Sequence, residues 1–145
     1  LRPGQETNLK FNKADVHGIE NVVITAFNPL LPNAIIIHQE ISTPTLPKVE
    51  SLYKVFDFQT TFPWKNEDFW ATIYFSMPQT WLKESQHTID QVALFRYENN
   101  EWQPTPTEWV RDERGRHVFR ATTRGFFPYV SAACSHTWRG YALIK

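Results

Sequence analysis

The residues of this chain that could do acid–base or metal chemistry are its acidic side chains, five histidines and one cysteine. The histidines are scattered, without the His-x-His or His-Glu-x-x-His spacing that places two imidazoles on one ion. His87 with Asp90, and His117 with Asp112 and Glu113, are the groups that could meet around a cation. We expect no metal site, and we interpret the histidines as surface or strand-flanking residues.

Covalent catalysis would require a serine or cysteine activated by an oriented base. The sequence has no Gly-x-Ser-x-Gly elbow, and its five glycines do not cluster into a phosphate-binding loop. Cys134 is the only cysteine, so these residues hold no internal disulfide, and its small neighbours are typical of a buried thiol. Two carboxylates distant in sequence could still serve a hydrolase, which is the weakest alternative. We predict that the protein is not an enzyme and binds no cofactor.

Exposed aromatic side chains are the feature of the sequence that could indicate binding. Aromatic residues make up 15% of the chain, including six Trp and eleven Phe. Such rings can stack on sugars when they share a flat face, and they are enriched in subunit contacts. The alternative is that they pack core ends and loop edges, as we expect for Trp81 and Trp102. The candidate binding or interface residues are Trp64, Trp70, Tyr74, Trp109, Trp138 and Tyr141.

Strands must position these side chains, because aromatic and β-branched residues dominate the apolar runs. Residues 69–77 alternate most clearly: Phe69, Ala71, Ile73 and Phe75 form one face, and Trp70, Thr72, Tyr74 and Ser76 form a face more tolerant of water. Further strands are predicted at residues 8–12, 20–27, 34–41, 51–62, 109–110, 116–123 and 126–133.

A β-hairpin over residues 90–107 is the most distinct local feature. Asn99 and Asn100 separate two apolar limbs, and asparagine tolerates the left-handed conformation of tight hairpin turns. Pro104 and Pro106 lack an amide hydrogen, so the return limb should not lie in the middle of a sheet beyond Gln103. A second turn is predicted at residues 112–115.

Together these patterns predict an all-β antiparallel sandwich, Ig-like or jelly-roll-like, with about seven to nine strands. One short helical turn is expected at residues 79–84, where Trp81 and Leu82 would close one end of the core. A length of 145 residues is typical of one domain, and the sequence contains no repeat or linker, so we predict a single domain over residues 1–145.

The charge balance argues against some partners. Fifteen basic and fifteen acidic residues cancel, so we expect no binding to nucleic acid. No apolar run reaches membrane length and no signal peptide is present, so we expect no membrane span and a processed protein or an excised domain.

Four sequence blocks, in this order and spacing, resemble the PGF-pre-PGF domain of archaeal surface proteins. The resemblance covers about residues 20–133. The blocks are residues 52–56; residues 71–78 with Trp81 and Leu82; residues 92–97 with Trp102 and Thr107; and residues 119–126.

The resemblance implies an extracellular β-domain of an archaeal envelope protein and supplies no catalytic residues. The chain departs from the family pattern after Gly125, where Phe126, Phe127 and Pro128 follow, and in its extension over residues 134–145. We expect that extension to pair as an edge strand of its own sheet. Alternatively, it or residues 1–11 could add to a neighbouring subunit's sheet.

The leading functional hypothesis is a structural module of the cell surface that contacts other envelope proteins or identical subunits in a lattice or filament. The alternative is a module that binds cell-surface glycans through exposed Trp and Tyr.

Overall fold

The computed structural model describes residues 6–10, 18–26, 35–38, 51–60, 69–125 and 129–133, which form an antiparallel β-sandwich. The predicted all-β fold is therefore confirmed. In chain order the strands are β1 (Glu6–Lys10), β2 (Ile19–Ala26), β3 (Ile35–His38), β4 (Ser51–Thr60), β5 (Phe69–Pro78), β6 (Val92–Glu98), β7 (Glu101–Pro104), β8 (Thr107–Glu113), β9 (Arg116–Arg124) and β10 (Tyr129–Ala133).

The strands form two five-stranded sheets. Sheet A has the order β1-β2-β5-β9-β8, and sheet B has the order β3-β4-β10-β6-β7. Every pairing between neighbours is antiparallel. The described residues hold ten strands, because Pro104 and Pro106 divide residues 101–113 into two strands that belong to different sheets.

The main core lies between the sheets and is built from alternate residues of the facing strands. In β5 the predicted apolar face is confirmed, since Phe69, Ala71, Ile73 and Phe75 are fully buried. Phe75 stacks on Phe119 of β9 with ring centroids 5.4 Å apart. The other large members of this core include Val22, Ile24, Phe56, Phe58, Met77, Leu94 and Tyr129.

Two tight turns fix the register of two hairpins. Asn99 and Asn100 both have positive φ (56° and 63°), as a two-residue type I′ turn requires, and they join β6 to β7. β7 is one of the two edge strands of sheet B and ends at Pro104, as predicted from its missing amide. Arg114 and Gly115 make the equivalent turn between β8 and β9. The second turn is therefore shorter than the four residues predicted.

A bulge in β4 explains why apolar and polar residues do not alternate strictly in this strand. Its register with β10 shifts beside Ser131, so β4 gains one extra residue there. Tyr53 consequently packs with the main core, whereas Leu52 packs on the opposite face of sheet B. The Ser131 hydroxyl accepts the backbone N–H of Lys54 at 3.2 Å, which satisfies a donor within the bulge.

Helical structure in the described ranges is short. Helix α1 (Gln79–Glu84) forms where one helical turn was predicted, with Leu82 in the core and Trp81 against Tyr53 at 5.0 Å between ring centroids. A 3₁₀ turn at Ile89–Gln91 adds a second helical segment. No helix of the described part of the chain is long and apolar enough to cross a membrane.

Candidate binding surface

The outer face of sheet A carries an exposed tryptophan on β5, the central strand of the sheet. Because the odd-numbered residues of β5 from Phe69 to Phe75 face the core, Trp70 and Tyr74 project on the outer side, and Trp70 remains 41% exposed. Four residues of strand separate the Cα atoms of Trp70 and Tyr74 by about 13 Å. Thr72 lies between them, opposite Thr122 of β9. Trp70 and Tyr74 therefore share the outer face of β5.

Arginine side chains flank both rings. In the antiparallel register Trp70 lies opposite Arg124, and Tyr74 lies opposite Arg120. Arg120 forms an ion pair with Glu108 of β8. This hydrogen bond, with a second that Arg120 donates to Tyr74, raises the pKa of Arg120 above its ordinary value. A polar chain from Tyr74 through Arg120 to Glu108 therefore holds the side chains of three neighbouring strands in place.

Trp109 does not share this face, although it is equally exposed at 40%. Its register partner is the buried Phe119, so Trp109 lies on the core side of β8, at the edge of sheet A. Its indole N–H donates to Asp112 at 3.0 Å. The ring borders a niche of about 10 Å³, about the space of one water, beside Asp90 and Glu108. Trp70 and Trp109 are thus on different surfaces.

The other aromatic residues considered are Trp102 and three residues outside the described ranges. Trp102 is half-buried on sheet B, 5.1 Å from Tyr97 between ring centroids, in agreement with its predicted packing role. Trp64, Trp138 and Tyr141 lie outside the described residues, as do Cys134 and the predicted extension over residues 134–145. Of the six candidates, the structure brings together Trp70 and Tyr74.

His117 and Asp112 meet, as the sequence suggested, but as part of a hairpin contact. The His117 Nδ1 lies 2.5 Å from an Asp112 carboxylate oxygen. The hydrogen bonds from His117 and Trp109 hold the pKa of Asp112 below its ordinary value. Glu113 turns instead to Arg111, whose hydrogen bond lowers the pKa of Glu113. Nowhere in the described ranges do three potential metal ligands come together.

A polar cluster around Ser76 was missed by the sequence interpretation. Ser76 was predicted on the solvent-tolerant face, but it is fully buried because Arg116 and Glu20 close over it. Its hydroxyl donates to the Glu20 carboxylate at 2.6 Å and accepts from Arg116 Nε at 2.8 Å. Arg116 also donates to the hydroxyl of Tyr53 in sheet B at 3.3 Å. The cluster joins the two sheets, and no sequence motif indicates it.

Comparisons with protein-family models, with curated proteins and with solved structures find no match to this chain.

Proposed function

We propose that this domain is a non-enzymatic, extracellular structural module of an archaeal cell-surface protein, and that it contacts identical copies through the outer face of sheet A. The cellular context rests on the resemblance of the four sequence blocks to the PGF-pre-PGF domain. The contact surface rests on the exposed Trp70, with Tyr74 and Arg120 beside it.

The composition of this face supports a protein contact. Trp, Tyr and Arg are the residues most enriched among those that dominate binding energy at interfaces. Both rings project from β5, the central strand of sheet A, so a partner could bury them without reorganising the backbone. Arg120 is already held by Glu108 and Tyr74, which reduces the side-chain entropy that a contact would cost.

Sedimentation velocity over a concentration series tests the proposal, with Trp70→Ala as the probe and Trp109→Ala as a control of matched exposure. We expect wild type to self-associate and Trp70→Ala to weaken association by about tenfold or more, as for an interface hot spot. Trp109→Ala should change it by less than about threefold. A wild type that stays monomeric at every concentration, or equal loss in both variants, contradicts the proposal.

The second candidate function is glycan binding at the same face. Two rings whose Cα atoms are about 13 Å apart on a strand, with Thr72 and Thr122 between them, offer stacking surfaces and hydrogen-bonding groups to a chain of sugars. A glycan array separates the candidates. Binding by wild type that Trp70→Ala abolishes, without any concentration-dependent assembly, would favour this function over the structural one.

A further inference from the structure

The outer face of sheet A is organised as rows of side chains that cross its strands. Strand register aligns one such row over all five strands, and alternate residues of a strand share a face. The chain neighbours of this row on β2, β5 and β9 are Val22, Phe75 and Phe119, which face the core, so the row itself faces outward. In strand order the row consists of Lys10, Asn21, Tyr74, Arg120 and Glu108.

Opposite charges stand at the two ends of this row. Lys10 lies on β1 and Glu108 lies on β8, which are the two edge strands of sheet A. Both side chains are exposed. Four strand spacings of about 4.8 Å place the two positions roughly 19 Å apart, which is too far for an ion pair within one chain. A contact between Lys10 and Glu108 therefore requires two chains.

A second row on the same face carries its charges in the reverse order. In strand order it consists of Glu6, Thr25, Trp70 and Arg124. Its two charged ends are exposed, and it crosses the strands about 13 Å from the first row. The β1 side of the face thus presents one negative and one positive charge, and the opposite side presents their complements at the same heights.

We propose that two copies of this chain pack face to face through the outer faces of sheet A, around a two-fold axis nearly parallel to β5. This arrangement rests on the self-contact proposed above and specifies its geometry. It lays β1 of one copy on β8 of the other, so that Lys10 meets the second copy's Glu108. A carboxylate has room for more than one donor, so Glu108 can accept from Lys10 and keep its ion pair with Arg120. Packed sheets align their strands within about 30°, as this axis requires.

The same axis brings the second row onto its own reverse. Trp70 projects from the central strand, so the two Trp70 rings meet beside the axis, where they bury apolar surface. Glu6 comes within reach of the second copy's Arg124, which lies on β9, the strand next to β8. Both rows therefore match their own reversed copies in charge.

Charge disfavours the other face-to-face two-fold arrangement, in which the axis runs across the strands. That axis would place Glu6 on the second copy's Lys10, but it would also place Arg124 on the second copy's Arg120. Like charges opposed across an interface weaken association. The axis along β5 pairs opposite charges in both rows. Because an isologous two-fold contact closes on itself, this face produces pairs of domains.

Complementary charge reversals test this arrangement in the full chain by fluorescence-detected sedimentation velocity. A Lys10→Glu chain fused to a fluorescent protein is titrated with unlabelled chains. We expect this variant to bind itself about tenfold more weakly than wild type binds wild type, because glutamate then faces Glu108 twice in each dimer. Unlabelled Glu108→Lys should restore binding to within about threefold of wild type, since both contacts then join opposite charges. Glu6→Lys with Arg124→Glu forms a second complementary mixture with the same expectation.

Glu101→Lys is the control for net charge, because it changes the charge of the chain as much as Glu108→Lys does but lies on β7 of sheet B. It should bind the fluorescent Lys10→Glu chain at least about threefold more weakly than Glu108→Lys does, since one contact keeps like charges. If Trp70→Ala weakens association but neither complementary mixture is restored, or if the control restores binding equally, this arrangement is wrong and the proposed contact stands. A wild type that stays monomeric overturns both.

Discussion

We expect Arg116 to link the two sheets, and its replacement should lower the free energy of unfolding by several kilocalories per mole. Its guanidinium donates to the hydroxyl and the carbonyl of Ser76 at 2.8 and 3.1 Å, and to Tyr53 at 3.3 Å. Arg116→Met keeps most of the side-chain length and removes all three donors. Hydrogen bonds from charged donors contribute about 1.5 kcal/mol each or more, but a half-buried site lets water replace some of them. We expect the free energy of unfolding to fall by about 2–4 kcal/mol.

Urea denaturation and a thermal melt measure this loss. For a domain of this size each kcal/mol corresponds to roughly 3 °C, so the midpoint should fall by about 6–12 °C with little change in the denaturant slope. Arg120→Met is the matched control, because Arg120 forms its ion pair on the exposed face, where such pairs contribute about 1 kcal/mol at most. An Arg116 variant as stable as the Arg120 variant would refute the reasoning.

Three further outcomes follow from the geometry. Gly115→Ala should lower the free energy of unfolding by about 1 kcal/mol in a thermal melt, because φ at Gly115 is +73°, although the new methyl group meets open space. Gly18→Ala should lower it more, because φ at Gly18 is +78° and a β5 carbonyl oxygen lies 3.2 Å from the position of the new methyl group. Equal costs would contradict this. Leu82→Ala should destabilise by about 2–5 kcal/mol in urea, and a loss under 1 kcal/mol would mean that α1 does not close the core. The lowered pKa of Asp112 stabilises the fold above the unfolded value near 3.8, and this contribution disappears as pH falls through the folded pKa. Asp112→Asn should make the free energy of unfolding depend less on pH as the pH falls below the unfolded value. An unchanged pH dependence would count against the contact of Asp112 with His117 and Trp109.

The proposed contact surface depends on two strands that chain order alone does not bring together. β5 and β9 are neighbours in sheet A, although Tyr74 and Arg120 are 46 positions apart in the sequence. Their register places an arginine beside each ring.

Local patterns predicted most of the strands and their orientation. The alternation of β5 identified its buried and exposed faces, because successive strand side chains point to opposite sides. The Asn99-Asn100 turn was predictable because few residues adopt two successive positive φ angles. Trp70 and Tyr74 could be assigned to one exposed face on the same grounds. The single domain over residues 1–145 and the extracellular context remain predictions.

The sequence by itself determined that this chain folds into short antiparallel strands with tight turns, because periodicity and turn chemistry act between near neighbours. Tertiary structure decided what depends on contacts between distant residues. It placed Trp109 on a different surface from Trp70, and it buried Ser76 beneath Arg116. It also buried Ala93, Val130 and Ala132 on the outer face of sheet B. Sheet order and register set these outcomes, and both are fixed only when the whole core packs.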